Sequence, residues 1–279
     1  MSNTKALAAA AVGAAGAAVL YTLLRPAKGG GGAGGALATP DAAKEESAEE
    51  RDARLTKKFA PKEGLTFYFF PRSPCARRVW LTLMEKKIPH HAVVVNLLAG
   101  EQRHARYLAI NPQGKVPAIR VQGMAASHGI DDCILYESAA ITEWLDEQFP
   151  SSIQLYPADP TLRSEVKMWQ YWELALAEEV WPLSRHQVDG ALWRWEYTPE
   201  EFMAAAESWS DGDPFYVSKV SKIYKSLYLT DQQVRRSVKR IVRGFTMLEN
   251  ALTDGRQYLV GASFSQADIA SYPRLVKVH

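Results

Sequence analysis

Between Leu65 and Phe149 short β-branched and aromatic runs alternate with amphipathic stretches, and beyond Pro150 the alternation stops. Apolar residues repeating every two positions suit a strand and those repeating every 3.6 suit a helix, so such switching restricts the fold sharply. Leu65-Thr-Phe-Tyr-Phe-Phe70, closed by Pro71, predicts a first strand. Val79, Leu81, Leu83 and Met84 predict a helix ending around Lys87, His91 to Val95 a second strand, and Glu101 to Ile110 a helix stopped by Asn111-Pro112. Ala118 to Val121 and Ile134 to Tyr136 predict two more strands, and Ser138 to Phe149 a last helix with Ile141, Trp144 and Leu145 inward. The order strand, helix, strand, helix, strand, strand, helix predicts a small sheet covered by helices, an α/β unit over 65–149. Pro and Asp in Tyr156-Pro-Ala-Asp-Pro160 mark a linker. Val166, Trp169, Trp172, Leu176 and Val180, then Val238, Ile241, Phe245 and Leu248, follow at helical spacing, so residues 150–279 are expected to be all-α.

Upstream, Ala6 to Leu24 is an uncharged, Ala-rich run flanked by Lys5, Arg25 and Lys28. At about 1.5 Å per residue it just spans a hydrocarbon core of about 30 Å. Residues 1–28 are therefore expected to be an anchor or targeting segment, either one retained membrane span or a cleaved organellar or secretory signal, the remaining alternative being a disordered Ala-rich tail. Basic residues on its C-terminal flank favour a folded part in the cytosol or an organelle matrix or stroma; cleavage would leave a soluble organellar protein. Residues 29–64 pass from Gly and Ala to mixed charge and read as a flexible linker, a tether followed by a solvated lead-in that is either helical or irregular, with folding beginning near Leu65.

Charge and cysteine content narrow the chemistry. With 33 Lys+Arg against 31 Asp+Glu, the chain lacks the cationic excess of a nucleic-acid binder. Two cysteines, Cys75 and Cys133, and six scattered His residues offer neither a disulfide framework nor metal-ligand spacing, so no metal is expected. The glycine-rich nucleotide loops and the G-x-S-x-G hydrolase elbow are absent from the sequence.

Three loops can nevertheless carry chemistry. Ser73 sits between the first strand and its helix, where unpaired amides and the positive end of the dipole would stabilise an anion; an ordinary N-cap explains it equally. Cys75, two residues on, is either a reactive thiol or a small core residue. In Asn111-Pro-Gln-Gly-Lys-Val-Pro117, a proline at a strand entry suits a cis bond that leaves the Val116 backbone free to pair with an extended ligand, or a plain turn. Glu137-Ser138 opens the last helix, placing a hydroxyl and helix amides where they could hold a carboxylate and an acid where it could face an ammonium, or simply capping the helix.

Taken in order, Arg72-Ser-Pro-Cys-Ala-Arg-Arg-Val79, Asn111-Pro-Gln-Gly-Lys-Val-Pro117, Tyr136-Glu-Ser-Ala-Ala-Ile141 and Tyr258-Leu-Val-Gly-Ala-Ser-Phe-Ser-Gln-Ala-Asp-Ile269 resemble the cytosolic-type glutathione transferases. The first motif is most similar to their serine classes, tau and especially zeta. In the last, Ser265 and Asp268 keep the spacing of a capping box. The resemblance covers about 215 residues and implies a thioredoxin-like domain over 65–149 and a helical domain over 150–279, C-terminally short by the family's measure.

It further implies glutathione as co-substrate and a small electrophile as its partner. Ser73 would address the glutathione sulfur, with Cys75 as rival actor. Val116, next to a cis Pro117, would pair with the cysteinyl unit, Glu137 and Ser138 would take the γ-glutamyl end, and Gln113 and Lys115 would lie near the glycyl carboxylate. Arg72, Trp169 and Trp172 would line the acceptor pocket. A homodimer is possible. The alternative is a membrane-tethered scaffold of the same fold, a subunit of a membrane complex with little catalysis.

Overall fold

The computed structural model describes residues 47–150, 153–210 and 212–278. Four strands, β1 (Gly64–Phe69), β2 (His91–Val94), β3 (Ala118–Gln122) and β4 (Cys133–Tyr136), form one sheet in the order β2-β1-β3-β4. The β1/β2 pair is parallel and the other two are antiparallel. Because β1 is buried on both faces, its sequence runs apolar without a break. Leu65, Phe67 and Phe69 face Val79 and Leu83 of α2 (Pro74–Glu85) and Ile141 and Leu145 of α5 (Ser138–Gln148). Tyr68 and Phe70 face the opposite side, against Leu55, Phe59, Tyr107 and Ile110. Each large side chain so buried contributes about 1.5–3 kcal/mol.

Leu55 and Phe59 correct the expected linker over 29–64. Residues Ala48–Lys58 form a helix, α1, closed at its start by a reciprocal Ser47/Glu50 capping box. Its apolar side is little more than Leu55, which is fully buried under the sheet. The remaining hold is ionic: buried Glu101 accepts from Arg54 at 3.1 Å, from Lys58 at 2.5 Å and from the Asn96 amide at 2.7 Å. Ordered structure therefore begins well before Leu65. The run 6–24 and linker residues 29–46 lie outside the described residues; among those described, no helix is long and apolar enough to cross a membrane.

One further expectation changes. The helix read over Glu101 to Ile110 is a 3-10 turn, Glu101–Arg103, and a short α3 (Ala105–Leu108), separated by His104 in extended conformation. The long turn after β3 holds a small helix, α4 (Ala125–His128), flanked by Met124 and Ile130, which are buried in the main core.

The second half is helical: α6 (Pro160–Ser184), a π turn Arg185–Asp189, α7 (Gly190–Glu196), α8 (Pro199–Ser210), α9 (Pro214–Tyr224), α10 (Asp231–Ala251) and α11 (Gln266–Val278). Val166 of α6, Leu248 of α10 and Ile269 of α11 meet around Leu155 and Leu259. Asp268 starts α11 as expected, accepting from Ser265 N at 2.9 Å and Ser265 Oγ at 3.1 Å. Helices α7 to α9 make a separate aromatic cluster in which Phe202 stacks on Tyr224 at 4.4 Å between centroids. Leu98 joins that cluster, and Arg103 Nη2 donates to Asp213 at 3.2 Å, so it rests on the first domain.

Candidate functional site

The sheet register brings the three chemistry-bearing loops together. Tyr68 stands opposite Ala118, and Ala118 opposite Tyr136. The C-terminal ends of β1 and β4 and the beginning of β3 therefore share one edge of the sheet. Strands lie about 4.8 Å apart, so residues 70–73, 116–117 and 137–138 emerge side by side over roughly 10 Å.

Ser73 is the N-cap of α2, and Pro74 occupies the first turn, where its missing N–H costs nothing. Its Oγ accepts from the Ala76 amide at 3.3 Å, and among the described residues nothing accepts its proton. One hydroxyl can do both jobs: a lone pair caps the helix and the O–H remains to donate. Cys75 lies inside the first turn, buried, with Arg274 Nη2 donating toward its Sγ at 3.7 Å.

Lys115 and Val116 are fixed from behind. The Lys115 carbonyl accepts from Tyr107 Oη at 2.6 Å and Asn111 Nδ2 at 2.7 Å, and burial pushes the Tyr107 phenol pKa upward, keeping it a donor. The Val116–Pro117 bond is cis, the Val116 side chain is buried, and no described residue pairs with the Val116 N–H or C=O. Gln113 and Lys115 expose their side chains. Gln113 Nε2 donates across to Glu137 Oε1 at 3.0 Å, joining the second and third loops.

Glu137 has a φ of +72°, a left-handed value that a non-glycine residue adopts only when its surroundings require it. This leaves its carboxylate exposed beside Gln113 while Ser138 turns inward as the first residue of α5. Arg72 reaches the helical part, where it pairs with Asp189 at 3.6 Å. Trp169 and Trp172 do not join the site. They meet edge to face at 5.4 Å and pack with Phe245 and Leu248, filling space between α6 and α10. Their expected place in the acceptor pocket is thereby corrected: the face of α6 turned to the first domain carries Gln170 and Glu173.

Sequence reasoning missed what stands on that face. Glu173 is closed to solvent and pairs with Arg78 of α2 and Arg274 of α11, both equally enclosed. Arg78 Nη1 also donates to Ser138 Oγ at 3.3 Å. One signal was present: Arg274 continues the buried stripe of Ala267, Ala270 and Ser271, a phase at which a solvated arginine would not sit. Among the described residues, no group of three or more His, Cys, Asp or Glu could hold a metal ion.

A thioredoxin-like sheet with a proline-led β3, joined to a helical bundle, is the glutathione-transferase fold. Residues 72–148 match the family described as Glutathione S-transferase, N-terminal domain. The chain is 38% identical over 98 residues to glutathione S-transferase Z1 of Arabidopsis thaliana, covering 35% of this chain and 40% of the relative. It is 35% identical over 102 residues to a maleylacetoacetate isomerase of Pseudomonas aeruginosa, covering 36% and 44%. The matched stretch thus spans less than half of each of these relatives. In three dimensions it is similar to a glutathione transferase of Burkholderia graminis solved with two glutathione molecules per subunit, with a TM-score of 0.58 and 23% identity over 80% of this chain and 77% of that one.

Proposed function

We propose that the protein binds glutathione along the shared sheet edge and activates its thiol for attack on a small electrophile. The observation that carries this reading is the unspent hydroxyl proton of Ser73, held at the start of α2 beside an unpaired Val116 backbone. A free thiol with a pKa near 8.5 is only a few per cent thiolate at pH 7. A hydroxyl donor together with the amides and dipole of a helix start favours the anion, and about 1.4 kcal/mol of preference lowers the pKa by one unit.

The rest of the tripeptide has complementary partners. The Val116 backbone would pair with the cysteinyl unit in the manner of an added strand. Glu137 would face the γ-glutamyl ammonium, and Ser138 with the first amides of α5 its carboxylate. Gln113 and Lys115 would sit toward the glycyl end. The relative named glutathione S-transferase Z1 supports a glutathione-using site, and the electrophile would enter near Arg72 and Asp189. Dimerisation would use Met168 and Tyr171 of α6 with Ile134 and Tyr136 of β4, large apolar side chains that lie exposed.

Retention of the full chain on immobilised glutathione, and conjugation of a simple aryl halide, test the reading. Tight retention with turnover is expected; neither retention nor turnover would overturn it.

A further inference from the structure

Directly behind the start of α5, Arg78, Glu173 and Arg274 are shut away from water, with two guanidiniums serving one carboxylate. The net positive charge of this group is costly, and burial pushes the pKa of both arginines down. A nearby anion would relieve that cost. Arg78 Nη1 points at Ser138 Oγ from 3.3 Å. A serine oxygen offers two acceptor sites and one proton; with Arg78 filling an acceptor site, the proton turns away from the arginine. Among the described residues nothing accepts that proton, and the amides of Ser138, Ala139 and Ala140 are likewise unpaired, the first intrahelical donor being Ile141 N to Glu137 O at 3.0 Å.

Resting on the glutathione reading above, we infer that Arg78 is a positioning residue. By engaging Ser138 Oγ from inside the protein, it aims the hydroxyl proton and the free amides of α5 at the carboxylate of the γ-glutamyl group. Glu173 of α6 and Arg274 of α11 hold Arg78 in that orientation, so two helices of the second domain set an affinity expressed on the first.

The test measures, by calorimetric titration of the full chain, binding of glutathione and of an analogue in which 4-aminobutyrate replaces the γ-glutamyl group, removing only its α-carboxylate. Wild type is expected to prefer glutathione by about tenfold or more, as a charge-assisted hydrogen bond implies. Ser138→Ala and Arg78→Lys should each collapse that preference to within about threefold, and the double variant should lose no more than either alone. Should Arg78→Lys fail to fold, Arg78→Gln takes its place, and Ser138→Ala alone must still collapse the preference. Equal wild-type binding of both ligands overturns the inference while sparing the glutathione reading. So does an Arg78 variant that weakens both ligands by the same factor, or penalties that multiply in the double variant. Wild-type binding of neither ligand removes the glutathione reading itself.

Discussion

Replacing Ser73 with alanine removes two things that different measurements can separate. The Oγ caps α2 through the Ala76 amide at 3.3 Å, and the side chain is buried, so its loss should cost about 1 kcal/mol of stability. In a domain pair of this size that lowers Tm by about 2–4 °C, equally at every pH where the protein is folded. The proton of the same hydroxyl is the group assigned to the bound sulfur. A hydrogen bond to a charged partner contributes about 1.5–3 kcal/mol, so the variant should raise the pKa of bound glutathione by about one to two units. The sign follows: Ser73 depresses the pKa, its benefit is present above the depressed value, and it fades once free glutathione would itself ionise. The assay is kcat/KM against pH for wild type, Ser73→Ala and Cys75→Ser. We expect a rate loss of about ten- to a hundredfold near neutrality in Ser73→Ala, shrinking toward pH 9, with the Cys75→Ser profile unmoved. A Ser73→Ala inflection within about 0.3 units of wild type, despite the lower Tm, would refute the reasoning. A shift confined to Cys75→Ser would transfer the role to that thiol.

Leu55→Ala should destabilise the protein by about 2–5 kcal/mol in urea unfolding, because the side chain is fully enclosed under the sheet; a loss below about 0.5 kcal/mol would mean α1 is not docked. Gly190→Ala would drive a Cβ into the Ile223 carbonyl oxygen, which is backbone and cannot swing aside. A cost of about 1–3 kcal/mol is expected, with faster proteolysis between α7 and α9; unchanged cleavage would show that these helices are not packed as described. Tyr171→Glu, on the exposed face of α6, should convert a dimer to monomers in light scattering; an unaltered mass from a dimeric wild type would place the interface elsewhere.

How far the chain could be read from its residues depended on whether the information was local. The strand β1 was legible because both its faces are buried, which forces a continuous apolar run. The loops bearing Ser73, Val116-Pro117 and Glu137-Ser138 were legible because each signal lies within a few residues at a strand end, and the sheet register alone brings them together. Helix α1 was not. Its sequence shows one buried leucine among charges, and what fixes it is Glu101, 43 residues beyond Lys58.

The misplaced tryptophans and the overlooked triad share one cause. Periodicity establishes that α6 is amphipathic but not which arc of it meets which neighbour, and one residue of phase is about 100° of rotation. Glu173 points to the first domain; Trp172, one position earlier, turns to α10. Of the two, the tryptophan is the conspicuous residue, yet the carboxylate sits nearer the proposed glutathione site, through Arg78 and Ser138. Arg78 and Arg274 meet across it from helices far apart in sequence, Glu173 and Arg274 being 101 residues apart. Motif spacing therefore locates the groups proposed to touch glutathione at strand ends, whereas the group inferred to orient one of them is held from wherever the second domain packs. If Arg78 acts as inferred, affinity for glutathione depends on the packing of α6 and α11 as well as on the loops, and a variant of the helical domain that leaves every ligand contact intact can still weaken binding.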